Sequence, residues 1–307
     1  MVVDNLEGIS YRIVIPSRAR SGMLRDNRGV WKYVDKDKHF LQVYVREEEY
    51  DDYGGDNSPV PLIRVDNEYS TLEKRKFALV SAHRDGIEFL VFLDDDIVVG
   101  FRKEEWPSKY CNKKEEVLSN EVFDKMLVES IGLCCGSIPL VGFPMRQVGF
   151  VLSGDNPFYK TQPIIRFACY HTPTMIREGL HEKDLGAPYM CDRFFQLSLL
   201  DKGYMTITNA RYSVDDSGTG ALGGCQVTRT VDLQNKSAMN LRERFPSRIE
   251  LKTKSNGSWI GPRWDCKIKW SSFLQKTESK NLFNKIAFGK ILGKFPSYGE
   301  HLFEVNL

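Results

Sequence analysis

The chain has 307 residues, 41% apolar and 27% charged, with a formal net charge of +2. These proportions exclude a disordered chain, a collagen-like repeat and a small disulfide scaffold, and the length allows at most two domains. A chain of this size buries about 75% of its extended surface on folding, enough for one large α/β core and a smaller appendage.

Ile9–Pro16 is a short apolar run ending at a proline, followed by the polar loop Ser17-Arg-Ala-Arg20; it reads as a buried first strand. Phe40–Val45 and Pro61–Val65 repeat the pattern as strands two and three, separated by loop chemistry from Asp51 to Pro59. Ser70-Thr-Leu-Glu73 is a capping-box signature. With Leu72, Lys76, Leu79 and His83 at helical spacing, it predicts a helix from Thr71 to His83. The fourth strand is Glu88–Leu93. Strands alternating with helices imply a largely parallel sheet covered on both faces.

A helix is expected over Lys114–Ile131, strands over Leu140–Phe143 and Pro163–Tyr170, a helix over Asp192–Lys202 stopped by Gly203, and a strand over Thr206–Tyr212. Ser130–Met145 is uncharged but is broken by Gly132, Gly136, Pro139, Gly142 and Pro144, so no membrane span is expected. The acidic N-terminus lacks a basic region followed by an apolar run, so no signal peptide is expected either. Seven cysteines without a C-x-x-C pair or zinc-like spacing fit a reducing compartment, and a cytoplasmic location is the expectation. Charge is uneven: Lys236 to Lys294 holds fourteen Lys or Arg against four acids, a local +10 that leaves −8 elsewhere.

Asp94-Asp-Asp96 directly follows the apolar fourth strand. That places three carboxylates at the C-terminal sheet edge, where open α/β sheets bind ligands. Mutual repulsion makes the cluster costly unless a cation neutralises it, and hard oxygen donors suit Mg²⁺ or Mn²⁺ bridged to a diphosphate. Alternation in an extended chain would let Asp94 and Asp96 converge while Asp95 faces elsewhere. A solvated acidic turn is the competing reading.

Ile13-Val-Ile-Pro-Ser-Arg18, Leu90-Val-Phe-Leu-Asp-Asp-Asp96 and Met190-Cys-Asp-Arg to Gly203-Tyr204 together resemble the GT-A glycosyltransferase pattern over residues 9 to 232. In particular the chain resembles the TET-associated glycosyltransferases, phage DNA-modifying enzymes that act on 5-hydroxymethyl-pyrimidine bases; Gly223-Gly-Cys-Gln-Val-Thr-Arg229 is associated with the same group. The resemblance implies a GT-A α/β catalytic domain over 1–235, binding a nucleotide-sugar, and a basic, aromatic-rich segment over 236–307. It implies metal ligation by Asp96, with Asp94 at the metal or the sugar and Asp95 able to do either. Pro16, Ser17 and Arg18 would border the base of a UDP-sugar, and Lys74 or Arg75 would reach nucleotide or phosphate, a solvated helix face being the alternative for those two. Asp192 matches the second residue of the family's E-D pair, the catalytic base, but Cys191 stands where the Glu is expected. A helix N-cap is its other reading. Asp184, Glu182 and Asp155 are reserve bases, Asp215 and Asp216 are possible further metal ligands, and His171 and His181 are left unassigned.

In the basic segment, Arg242, Arg263 and Lys267 are interleaved with Trp259, Trp264 and Trp270. Clustered cations suit phosphate backbones and aromatics stack on exposed bases, so a nucleic-acid acceptor is expected, and the resemblance implies that it is DNA carrying 5-hydroxymethylcytosine or a similar base. Three alternatives stay open: a GT-A enzyme of surface polysaccharide synthesis, a haloacid-dehalogenase-like phosphatase whose late acidic pair is Asp215-Asp216, and a non-catalytic nucleic-acid-binding protein. Three strands before the acidic strand count against the phosphatase.

Overall fold

Side-chain alternation along the first strand divides the core in two. In the computed structural model, which describes residues 6, 8–101, 120–145, 158–160, 162–186, 188–216, 223–224, 229–255 and 262–273, strand β1 (Tyr11–Pro16) sends Ile13 and Ile15 into one buried cluster and Val14 into the other. Strands β2 (Leu41–Arg46) and β3 (Leu62–Val65) follow, then helix α2 (Thr71–Arg84), a short α1 (Ser21–Arg25) having come first. Strand β4 (Phe89–Leu93) repeats the division: Val91 and Leu93 face one cluster, Leu90 and Phe92 the other. Both faces are covered, which is why these strands read as continuous apolar runs instead of alternating ones.

The remaining elements are β5 (Ile97–Phe101), α3 (Asn120–Leu133), β6 (Leu140–Gly142), β7 (Phe158–Tyr159), β8 (Phe167–His171), α4 (Thr172–Arg177), α5 (Cys191–Asp201), β9 (Thr206–Asn209), β10 (Tyr212–Asp216), α6 (Val231–Arg244), β11 (Ile249–Lys254) and β12 (Arg263–Ile268). The main sheet has eight strands in the order β3-β2-β1-β4-β8-β6-β9-β7. β1, β2, β3 and β4 are mutually parallel, β8 runs against β4 and β6, and β7 runs against β9. This is the expected α/β class, a mostly parallel sheet flanked by helices. Among the described residues no helix is long and apolar enough to cross a membrane.

Several expectations shift. The capping box forms, Ser70 accepting from the Glu73 amide and Glu73 from the Ser70 amide. The buried stripe of α2, however, is Leu72, Arg75, Ala78, Leu79 and Ala82, while His83 is exposed. The helix is therefore turned by about one residue from the expected face, because Arg75 has a buried partner. The single strand expected over 206–212 is broken at Ala210–Arg211, and Tyr212–Asp216 leaves the main sheet to pair with β5. The start expected for α3 lies outside the described residues. The boundary expected at residue 235/236 falls inside α6, and Ala238, Leu241, Phe245, Ile249, Cys266 and Phe273 share the buried cluster of α2 and α5.

Candidate active site

Strand β4 ends at Leu93, so the triplet lies just past it, with Asp95 and Asp96 in a turn leading to β5. Strand alternation therefore does not govern these side chains, and the expected convergence of Asp94 with Asp96 away from Asp95 is replaced by another pairing. Arg20 binds Asp95 and Asp96 together, at 2.5 Å and 3.0 Å. Ser17 Oγ donates to the other oxygen of Asp95 at 2.5 Å and lies 2.7 Å from the Tyr53 hydroxyl, which accepts the Arg20 amide. The loop after β1 is thus tied to the triplet by its own side chains. Gly29 completes the turn: a Cβ there would meet the Asp95 carbonyl at 2.3 Å.

Asp94 points into a different environment. Burial first, then the nearby Asp192, pushes its carboxyl up to about 7, with Asp96 adding to the rise and Arg75 opposing it. Among the described residues it makes no side-chain hydrogen bond or ion pair. Asp192, in the first turn of α5, is not a helix cap; Met190 holds that position and Asp192 pairs with Arg75 instead. Arg75 is 1% exposed, donates to the Tyr170 hydroxyl at 2.7 Å and lies 4.1 Å over the Phe92 ring. Burial works against its charge, but Asp192 and Tyr170 more than offset that, and its pKa rises.

Of the sequence-predicted residues, Ser17, Arg75, Asp94, Asp95, Asp96 and Asp192 are brought together at the C-terminal sheet edge. Pro16 ends β1 beside Tyr44, and the Arg18 carbonyl accepts the Gly224 amide. Lys74 is 4% exposed and donates to the Ser17 carbonyl at 3.2 Å, so neither Lys74 nor Arg75 lies on a solvated helix face. Asp184 is exposed and closes a local turn by accepting the Gly186 amide. Glu182 is exposed beside His181, and Asp155 lies outside the described residues. Asp215 and Asp216 lie opposite Val98 and Ile97, on the strand beside the triplet's exit.

In the basic segment Arg242 and Lys267 are exposed, Lys267 3.5 Å from Glu250. Arg263 is only 9% exposed, and Trp264 and Trp270 are partly buried against the core cluster shared with α2 and α5; Trp259 lies outside the described residues. Arg20, Tyr53 and Tyr170 are the residues that sequence reasoning missed. Arg20 and Tyr53 had a signal, a second arginine and a lone aromatic in otherwise polar loops.

The donor set fits a divalent cation of the Mg²⁺ or Mn²⁺ class. Such ions use hard oxygens, often one or two carboxylates completed by substrate phosphates. Asp94, half-buried, without a direct partner and crowded by negative charge, is a carboxylate that such a cation would satisfy. Among the described residues no group of three or more His, Cys, Asp or Glu side chains is gathered as a self-sufficient metal site.

A family model described as TET-Associated Glycosyltransferase matches residues 11–224, from β1 through the glycine turn against the Arg18 carbonyl. The chain belongs to the TET-associated glycosyltransferase family. It is accordingly a transferase of the glycosyltransferase type, and the phosphatase and non-enzymatic readings fall away. No curated protein matches the chain. Solved structures similar to this glycosyltransferase include a mannose-1-phosphate geranyltransferase from Thermus thermophilus, at 10% identity and TM-score 0.40, covering 90% of this chain and 100% of that one. GalNAc-T7 with UDP, GalNAc and Mn²⁺ matches at 12% identity and TM-score 0.40, covering 69% of this chain and 44% of its own. A cytidylyltransferase from Leptospira borgpetersenii serovar Hardjo-bovis matches at 12% identity and TM-score 0.38, covering 78% and 89%.

Proposed function

We propose that this glycosyltransferase moves a sugar from a nucleotide-sugar donor, of the UDP-sugar class, to a 5-hydroxymethyl-pyrimidine base in DNA. The observation that carries the reading is the meeting of the Ser17–Arg20 loop, the Asp94–Asp96 triplet and Asp192 at one sheet edge, in a chain of this family. Asp94 and Asp96 would hold Mg²⁺ or Mn²⁺, which when bound neutralises charge developing on the leaving diphosphate. Pro16, Ser17 and Arg18 border the nucleobase, and Lys74 fixes their loop from the start of α2 through the Ser17 carbonyl. Asp192, paired with Arg75, takes the proton of the acceptor hydroxyl, a role that contributes typically about 10²–10⁴-fold.

The acceptor assignment rests on charge. The exposed cations Arg242, Lys252, Lys254 and Lys267 lie on α6, β11 and β12 in a region carrying +10 against −8 for the remainder. In this reading residues 1–235 supply donor chemistry and 236–307 the nucleic-acid contact, with the modified base flipped out or presented single-stranded. The setting is phage DNA in a host cytoplasm. The test is sugar transfer to hydroxymethylated DNA, unmodified DNA and a polysaccharide, each with and without Mn²⁺. Salt-sensitive transfer confined to hydroxymethylated DNA is the expected result; transfer to the polysaccharide alone would move the acceptor assignment to surface polysaccharide synthesis.

A further inference from the structure

The segment Gly223-Gly224 stands out in the sequence without an evident task, far along the chain from the loop it touches. In the fold it lies on the β1 loop. The Gly224 amide donates to the Arg18 carbonyl at 2.8 Å. Both glycines have positive φ, +93° and +62°. A Cβ on Gly223 would meet Arg20 Cγ at 2.6 Å and the Ala19 carbonyl at 2.7 Å; one on Gly224 would meet the Arg20 guanidinium first, at 2.9 to 3.1 Å. The absence of side chains there makes room for Arg20.

Arg20 uses that room to reach two carboxylates. Its side chain is 9% exposed, and its two terminal nitrogens bind Asp95 and Asp96 separately. With Ser17 on its second oxygen, Asp95 has both oxygens engaged within the protein. Asp94 receives no such contact among the described residues.

We propose that Arg20 is the positioning residue of the carboxylate triplet: a built-in counter-cation, seated by the Gly223–Gly224 turn, that commits Asp95 to holding the donor loop and leaves Asp94, with the second oxygen of Asp96, to meet a divalent ion. Planar two-nitrogen recognition of two carboxylates is a task suited to arginine and not to lysine. Arg20 also sets the negative potential that an incoming divalent ion experiences, because its charge opposes the ion's. The inference rests on the donor-site reading above but is tested separately from it: transfer by the wild-type chain judges that reading, and ion affinity of variants judges this one.

The experiment is Mn²⁺ binding to the full chain without donor, followed by the electron paramagnetic resonance signal of free Mn²⁺. Arg20→Met should bind Mn²⁺ at least about tenfold more tightly than wild type, because the competing charge is gone. Arg20→Lys, which keeps the charge but not the two-nitrogen fork, should fall between wild type and Arg20→Met. Gly224→Ala keeps Arg20 but pushes its guanidinium from the carboxylates, so it should move affinity in the same direction as Arg20→Met and provides the answer if that variant does not fold. A merely structural role for Arg20 would leave Mn²⁺ affinity unchanged or weaken it. Binding by folded Arg20→Met and Gly224→Ala that is equal to or weaker than wild type, including no binding by either, overturns the proposal.

Discussion

Asp94 ties stability to pH in a way that can be separated from every other group. Its carboxyl is pushed from 3.8 to about 7, first by burial and then by Asp192, so between those values the native chain holds a proton that the unfolded chain has released. The stability this provides is fully present below about pH 4 and is lost as pH rises through 7. At about 1.4 kcal/mol per pH unit, the full window amounts to at most roughly 4 kcal/mol, and the span from pH 5 to pH 8 to about 3 kcal/mol. Asp94→Asn is isosteric and never charges, so its stability should lack this component. Urea denaturation of both proteins in EDTA at pH 5 and pH 8 would show the variant gaining about 3 kcal/mol on the wild type over that interval. Parallel pH profiles would refute the placement of Asp94 in a desolvated, negatively crowded site. Added Mn²⁺ should flatten the wild-type profile, since a bound ion stabilises the ionised carboxylate.

Asp96→Asn should abolish transfer and metal-dependent donor binding while circular dichroism shows a retained fold, because Asp96 sits in the turn beyond β4 and not within the strand. Asp192→Asn should lower kcat by about 10²–10⁴ with little change in donor KM; since it leaves Arg75 buried without its partner, unfolding should also be easier by about 3 kcal/mol or more. Asp184→Asn should leave turnover unchanged, its carboxylate serving an exposed turn. Neutralising Arg242 and Lys267 together should flatten the slope of log K against log salt for duplex DNA by up to about 1.8. Arg263→Met and Trp264→Ala should instead lower the thermal midpoint, because Arg263 is buried and Trp264 packs against the core.

Whatever could be read from neighbours in the sequence was legible. The apolar runs of β1 and β4, the capping box at Ser70 and the acidic triplet after Leu93 are local signals, and each forms where the pattern places it. The side chains whose placement was not legible are those whose environment is set by a partner far along the chain. Arg75 reads either as a nucleotide or phosphate contact or as a solvated charge on a helix, until Asp192, from α5, pairs with it on the buried face of α2. Arg20 reads as loop polarity until the triplet, 75 residues later, claims both of its terminal nitrogens. Arg263 fails in the opposite sense: a cation counted as surface charge is covered where β12 pairs with β11, a packing that composition does not reveal.

These long-range pairs share one electrostatic logic. Four carboxylates, Asp94, Asp95, Asp96 and Asp192, meet at the sheet edge, and two arginines from separate elements contact three of them directly. Folding could not gather four uncompensated charges at a partly buried site, since each would lose its hydration without repayment. Arg20 and Arg75 therefore make the site foldable before any ligand arrives. They do so incompletely: Asp94 is left outside both pairs, and the apo-protein answers by keeping it protonated to about pH 7. A divalent ion arriving with a diphosphate would displace that proton and occupy the one carboxylate without a direct partner among the described residues. Donor binding should therefore release protons near neutral pH, a quantity that isothermal calorimetry in buffers of different ionisation enthalpy measures directly. Release of well under half a proton at about pH 6.5 in the presence of Mn²⁺ and donor would mean that Asp94 is not where the ion binds.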